Sequence, residues 1–198
     1  MKFHARHSIS RQNPAGGFTL AEMLVAVGAG FILLTSVAAL SLYGAKSFLA
    51  MGNYVDLDDQ SRNALDVICR EVRDASAVVS FNTNSPMSLT LTNATLGVTI
   101  TLTNDPNGRT LTLLKTGLPA QTLLQQCDQW SFSLYDRAPL ISSTNIIFPA
   151  ATNGTGALDP TFVKLINMSW RCSRTILQQK VNTESVQTAQ IVLRNKVK

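Results

Sequence analysis

The hydrophobic rhythm of the chain changes along its length. Between Glu22 and Lys46 lie 23 consecutive uncharged residues. As a helix they extend about 35 Å at roughly 1.5 Å per residue, enough to cross a hydrocarbon core of about 30 Å. From residue 54 the pattern becomes amphipathic. Leu57, Ser61, Leu65, Ile68, Val72, Ala75 and Val79 recur every three or four positions and share one helical face. On the other side, Asp58 and Arg62, then Arg62 and Asp66, then Asp66 and Arg70, are opposite charges four apart, which suits a wet face. Asn82, Asn84 and Pro86 interrupt this run, so the spacing predicts a helix through residue 81. Gly52-Asn53 is a soft point between its two halves.

Residues 87–115 switch to period two. Leu89 and Leu91, then Val98, Ile100 and Leu102, then Leu111 and Leu113 alternate with threonines, the pattern of half-buried antiparallel strands. Asp105-Pro106-Asn107-Gly108 between them predicts a hairpin turn, with the glycine taking the positive φ. Trp130, Phe132 and Leu134 predict another strand. So do Ile166, Met168, Trp170 and Cys172, and finally Ala189, Ile191 and Leu193. Residues 136–160 hold prolines and a Gly-rich stretch and read as a long loop, functional or mobile. The plan is α+β: a long N-terminal helix over 18–81, membrane-spanning at about 20–45, then a β-rich domain over 82–198.

Charge refines this picture. The formal net charge of +5 suggests nucleic acid until it is located. Lys2, Arg6 and Arg11 lie within residues 1–17, which contain no acid; beyond them 14 basic residues face 12 acidic ones. The main body is close to neutral and shows no basic stripe, so no direct nucleic-acid binding is expected. His4 and His7, the only histidines, are in the same leader. Without them a Ser-His-Asp triad, a Cys-His pair or a histidine metal site has no residues to use. No phosphate-binding loop is present, and Asp105, Asp128, Asp136, Asp159 and Glu184 are scattered. The chain reads as a non-enzyme with no cofactor and no metal. Cysteine is sparse, at Cys69, Cys127 and Cys172, with no CxxC.

An ordinary signal peptide would place small residues after the apolar run, whereas Ala15, Gly16 and Gly17 precede it. Gly17-Phe18-Thr19-Leu20-Ala21-Glu22, behind a short basic leader, resembles the class III signal of type IV prepilins and type II secretion pseudopilins. The resemblance implies a pilin-like fold and cleavage between Gly17 and Phe18, with residues 1–17 removed. It implies N-methylation of Phe18 by a prepilin peptidase. It also implies that Glu22 pairs with the Phe18 amine of a neighbouring subunit during filament assembly. The residue-level alternative is that Glu22 merely snorkels to the membrane edge. No proline falls between Pro14 and Pro86, which fits a minor subunit better than a bulk pilin. Ser61-Arg62-Asn63-Ala64-Leu65, Arg70-Glu71-Val72-Arg73-Asp74-Ala75 and the ending Ile191-Val192-Leu193-Arg194-Asn195 resemble J-type minor pseudopilins.

Implied partners are the peptidase, other pilins or pseudopilins, an inner-membrane assembly platform and the lipid bilayer. The implied location is a single pass through the inner membrane, with the N-terminus cytoplasmic and the β domain periplasmic. The alternatives are a minor pilin of a type IV pilus or DNA-uptake filament and, from another class, a solitary membrane-anchored adhesin. In an oxidising periplasm a bridge between Cys127 and Cys172 can persist. Against it, Cys127 is out of parity with the inward face of its strand, and Cys172 also reads as a small buried hydrophobe.

Overall fold

The computed structural model describes residues 17–93, 96–136, 140–142, 145–176 and 179–194. The chain divides into two compact units, residues 1–45 and 46–198. Helix α1, Leu20–Asp74, contains the uncharged run in its first part, where no side chain is buried. This is one helix long and apolar enough to cross a membrane. The helix runs through Gly52-Asn53 without a break.

In the second unit, β1 (Ala77–Asn82), β2 (Ser88–Asn93), β3 (Val98–Asp105), β4 (Thr110–Lys115) and β5 (Gln121–Gln125) form an antiparallel meander in chain order. A second antiparallel sheet has the order β10 (Gln179–Val192), β9 (Val163–Ile176), β6 (Cys127–Asp136). Leu89, Leu91, Ile100, Leu102, Leu111 and Leu113 of the first sheet are buried, as their alternation with threonine predicts. Ile166, Met168, Trp170 and Cys172 fill one face of β9. These join Leu57, Ala64, Ile68 and Val72 of α1 in a single apolar core.

Three expectations need correction. The helix ends at Asp74, not residue 81. Ala75 N still donates to Glu71 O at 3.1 Å, but Ser76 N turns to Thr92 O of β2 at 2.7 Å. Ala77-Val78-Val79-Ser80-Phe81 is β-branched and aromatic, and pairing it with β2 satisfies its backbone at the sheet edge. The helical spacing carries on by one repeat from Ala75 to Val79, but the strand that forms there turns a different residue inward. Val78 is the inward residue, 4% exposed, while Val79 is 51% exposed. Asn82, Asn84 and Pro86 form the β1–β2 turn, with Asn82 Oδ1 accepting from Asn84 N at 3.0 Å. Within the helix, Ala64 sits at the centre of the stripe and Leu65 on its flank.

The second correction concerns the β3–β4 turn. Its left-handed residue is Arg109, φ 51°, rather than Gly108. Gly108 is required by close approach instead: a Cβ there would meet Asp105 Oδ2 at 2.6 Å. Asp105 is held by accepting from Asn107 N at 3.0 Å. The third concerns 136–160. The described part contains a hairpin, β7 (Leu140–Ser142) with β8 (Asn145–Ile147). Its exit is pinned to β6, since Asp136 N donates to Pro149 O and Ala151 N to Leu134 O. The sequence also gives no hint of β5, whose single buried residue is Leu124.

Burial predicts how α1 and β1 tolerate truncation. Ile68→Ala should lower the unfolding free energy by about 2–5 kcal/mol, measured by urea titration of the full chain in detergent. Val79→Ala should change it by no more than about 0.5 kcal/mol. A large loss at Val79 would restore it to the core face that the helical spacing predicts.

Candidate functional site

Two groups of residues singled out in the sequence can be placed. At the N-terminal end, Gly17 and Phe18 precede α1 and are exposed. The basic leader, with His4 and His7, lies outside the described residues. Thr19 N donates to Glu22 Oε2 at 2.9 Å, Thr19 Oγ1 donates to the same oxygen at 3.1 Å, and Glu22 N donates to Thr19 Oγ1 at 3.3 Å. This is a reciprocal capping box, which satisfies amides that a helix start otherwise leaves without partners. Sequence reasoning missed Thr19, although Thr-x-x-Glu ahead of an apolar run is its signature. The carboxylate therefore has a partner within its own chain, at the first turn of the apolar segment. A carboxylate there also complements the positive end of the helix dipole.

The second group is the cysteine pair. Cys127 of β6 and Cys172 of β9 are direct register partners. The parity objection fails because the register shifts between Cys127 and Gln129, which turns Cys127 to the same side as Trp130. Both side chains are buried, and both are free thiols. Cys127 hydrogen-bonds to Cys172, an interaction that, with burial, pushes the Cys127 thiol well up. The same bond moves Cys172 down, helped by Ser61 of α1. Ser61 Oγ in turn accepts from Ser185 Oγ of β10 at 3.3 Å. Cys69, half-buried on α1, is raised chiefly by desolvation.

A polar clamp flanks the cysteines. Arg109 donates from Nε to Asp128 Oδ1 at 2.7 Å and from Nη2 to Ser173 O at 2.8 Å. Ser173 Oγ donates to Asp128 Oδ2. One guanidinium thus ties the β3–β4 turn to β6 and β9, using charge-assisted hydrogen bonds. Arg174 continues the line to Gln126 and to Asp56 of α1, the latter at 3.0 Å.

Among the described residues, no group of three His, Cys, Asp or Glu side chains converges as metal ligands would. A shallow cleft of about 270 Å³ beside β6 is lined by Phe132, Leu134, Tyr135 and Leu158, with Thr83 and Ser133. Such a lining offers packing and hydroxyl hydrogen bonds.

The clamp yields a comparison between two substitutions. Arg109→Ala should destabilise by about 1–3 kcal/mol through the lost bonds to Asp128 and Ser173. Arg109→Gly loses the same bonds but removes the left-handed strain, and should be about 1 kcal/mol more stable than the alanine variant. Urea titration of both tests this, and a glycine variant no more stable than the alanine one would show that the φ of 51° carries no cost.

Against this geometry, no family model matches the chain, and neither the curated proteins nor the solved structures contain a match to it.

Proposed function

We propose that the chain is a minor pseudopilin, a structural subunit of the tip or initiation complex of an envelope-spanning type II secretion filament. The observation that carries this reading is Gly17-Phe18-Thr19-Leu20-Ala21-Glu22 placed directly before the uncharged run, with α1 starting at Leu20. The α+β layout of helix followed by antiparallel sheet supports it. In this reading a prepilin peptidase cuts after Gly17 and methylates Phe18. Residues of about 20–45 anchor the subunit in the inner membrane, and the second unit lies in the periplasm. Glu22 meets the Phe18 amine of a neighbour, so the capping contact to Thr19 is its resting partner before assembly. A minor pilin of a type IV pilus or DNA-uptake filament shares all of these features. A solitary anchored adhesin shares the anchor but makes no filament, so co-purification with other processed prepilins separates it from both.

Processing is the direct test. Coexpression with a prepilin peptidase should give a mature chain beginning at N-methyl-Phe18, read by mass spectrometry, and Gly17→Val should block it. A mature N-terminus after Ala45 would sink the proposal.

The acid at position 22 is tested separately. Glu22→Ala removes a charge from an apolar segment, so insertion should be unimpaired, charge in a membrane helix being worth roughly 2.5–3.5 kcal/mol against insertion at the helix centre. Cysteine crosslinking to neighbouring subunits and recovery in the filament complex should fall. Glu22→Gln retains a side chain that caps in the same position and should give an intermediate loss. Crosslinking at the normal level in Glu22→Ala would mean that the carboxylate only caps or snorkels.

A further inference from the structure

Cys127 and Cys172 have three properties that the filament reading leaves unused: their register, their burial and the stiffness of their surroundings. Ser173 N donates to Gln126 O at 3.1 Å just outside the β6–β9 ladder, a hydrogen-bonded step immediately before its first register pair. The next step, Cys127 opposite Cys172, is then a non-hydrogen-bonded pair. Cys127 N donates instead to Arg109 O at 2.8 Å, outside that ladder. In such a pair the Cα atoms stand about 4.5 Å apart with side chains directed at each other. That separation falls within the roughly 4.4–6.8 Å over which a disulfide closes. The clamp of Arg109, Asp128 and Ser173 sits on the adjoining residues and holds the register. The thiols themselves are 0% and 1% exposed, covered by the α1 face that carries Ser61.

We propose that Cys127 and Cys172 form a disulfide as the chain folds under oxidising conditions, and that Cys69 remains a thiol. The occurrence of this bond in the cell rests on the periplasmic placement of the second unit. The oxidant is a protein or small-molecule disulfide. A thiolate of one cysteine attacks a sulfur of that disulfide, breaking its S–S bond and releasing one donor thiol. The second cysteine then attacks the mixed disulfide, forming Cys127–Cys172 and releasing the other donor thiol. Both protons go to solvent or to the departing thiolates, and the donor is reduced by two electrons. Because neither sulfur is reachable in the folded domain, the exchange takes place before α1 and β10 cover the pair, and the finished bond is then shielded from reductants. Cys69 lies on α1, outside the β6–β9 register, and half-buried.

Refolding tests the pairing without reference to compartment. The reduced full chain is unfolded, refolded into detergent in a glutathione redox buffer, then denatured and alkylated with N-ethylmaleimide without reductant. The expected product carries one label, on Cys69, is two hydrogens lighter, and yields a crosslinked peptide containing Cys127 and Cys172. Chain folded first under reducing conditions should form no bridge with the same buffer until denaturant is added. Relative to the bridged form, the unfolding equilibrium constant of Cys127→Ser/Cys172→Ser and of reduced wild type should each rise by roughly thirtyfold or more. Three labelled thiols after oxidative refolding, or a bridge that includes Cys69, would overturn the proposal. The same labelling on protein taken directly from cells reads the compartment. Free thiols there, with the bridge forming in refolding, would overturn the periplasmic placement and leave the pairing standing.

Discussion

Burial of one helical stripe organises the described part of the second unit. Leu57, Ala64, Ile68 and Val72 belong to the same core as the inward leucines of the meander and the apolar face of β9. Apolar contact is non-directional, so it brings α1 to the sheets without fixing its rotation or register. Polar contacts at the margins of the stripe do that. Glu71 receives Lys115 Nζ of β4 at 2.9 Å. Asp56 receives Arg174 of β9, and Ser61 receives Ser185 of β10. A helix rotated by one position would bury part of its charged face and separate each of these pairs. Of the charged contacts, the half-buried Lys115–Glu71 pair is only partly screened by water, which makes its geometry selective.

The second structural joint is smaller. The β5–β6 connection at Gln126 and the β3–β4 turn at Arg109 both place a non-glycine residue at positive φ. Such backbone persists where neighbours over-determine it. Here Arg109 is bound by Asp128 and Ser173, and Gln126 by Arg174. The strained residues and the hydrogen bonds that hold them form one unit around the cysteine pair. That unit joins the meander to the second sheet at the point where the chain passes from one to the other.

At the other end of α1 the physics is different. A carboxylate at the start of an apolar helix gains from the helix dipole and from the amide of Thr19, so its presence there carries a local benefit before any partner arrives. In the proposed assembly a neighbour's cation would compete with that arrangement.

Sequence alone determined the parts in which one residue's position suffices. The uncharged run, the alternation of leucine with threonine in β2 to β4, and the inward face of β9 follow from spacing, because helix and strand periods are local properties of the backbone. The motif from Gly17 to Glu22 is legible in the same way, and Thr19 was legible too as the first half of a capping box. Tertiary structure decided the rest. The helical spacing carries on from Ala75 to Val79, and only pairing with β2 made Ala77 to Asn82 a strand. At the β3–β4 turn the left-handed residue is Arg109, which Asp128 and Ser173 hold, while Gly108 lies where Asp105 approaches closely. The inward turn of Cys127 depended on a shift of register between β6 and β9. For β1 the deciding contact is with β2 and for Cys127 it is with β9, and a local pattern contains no information about a partner that only folding supplies.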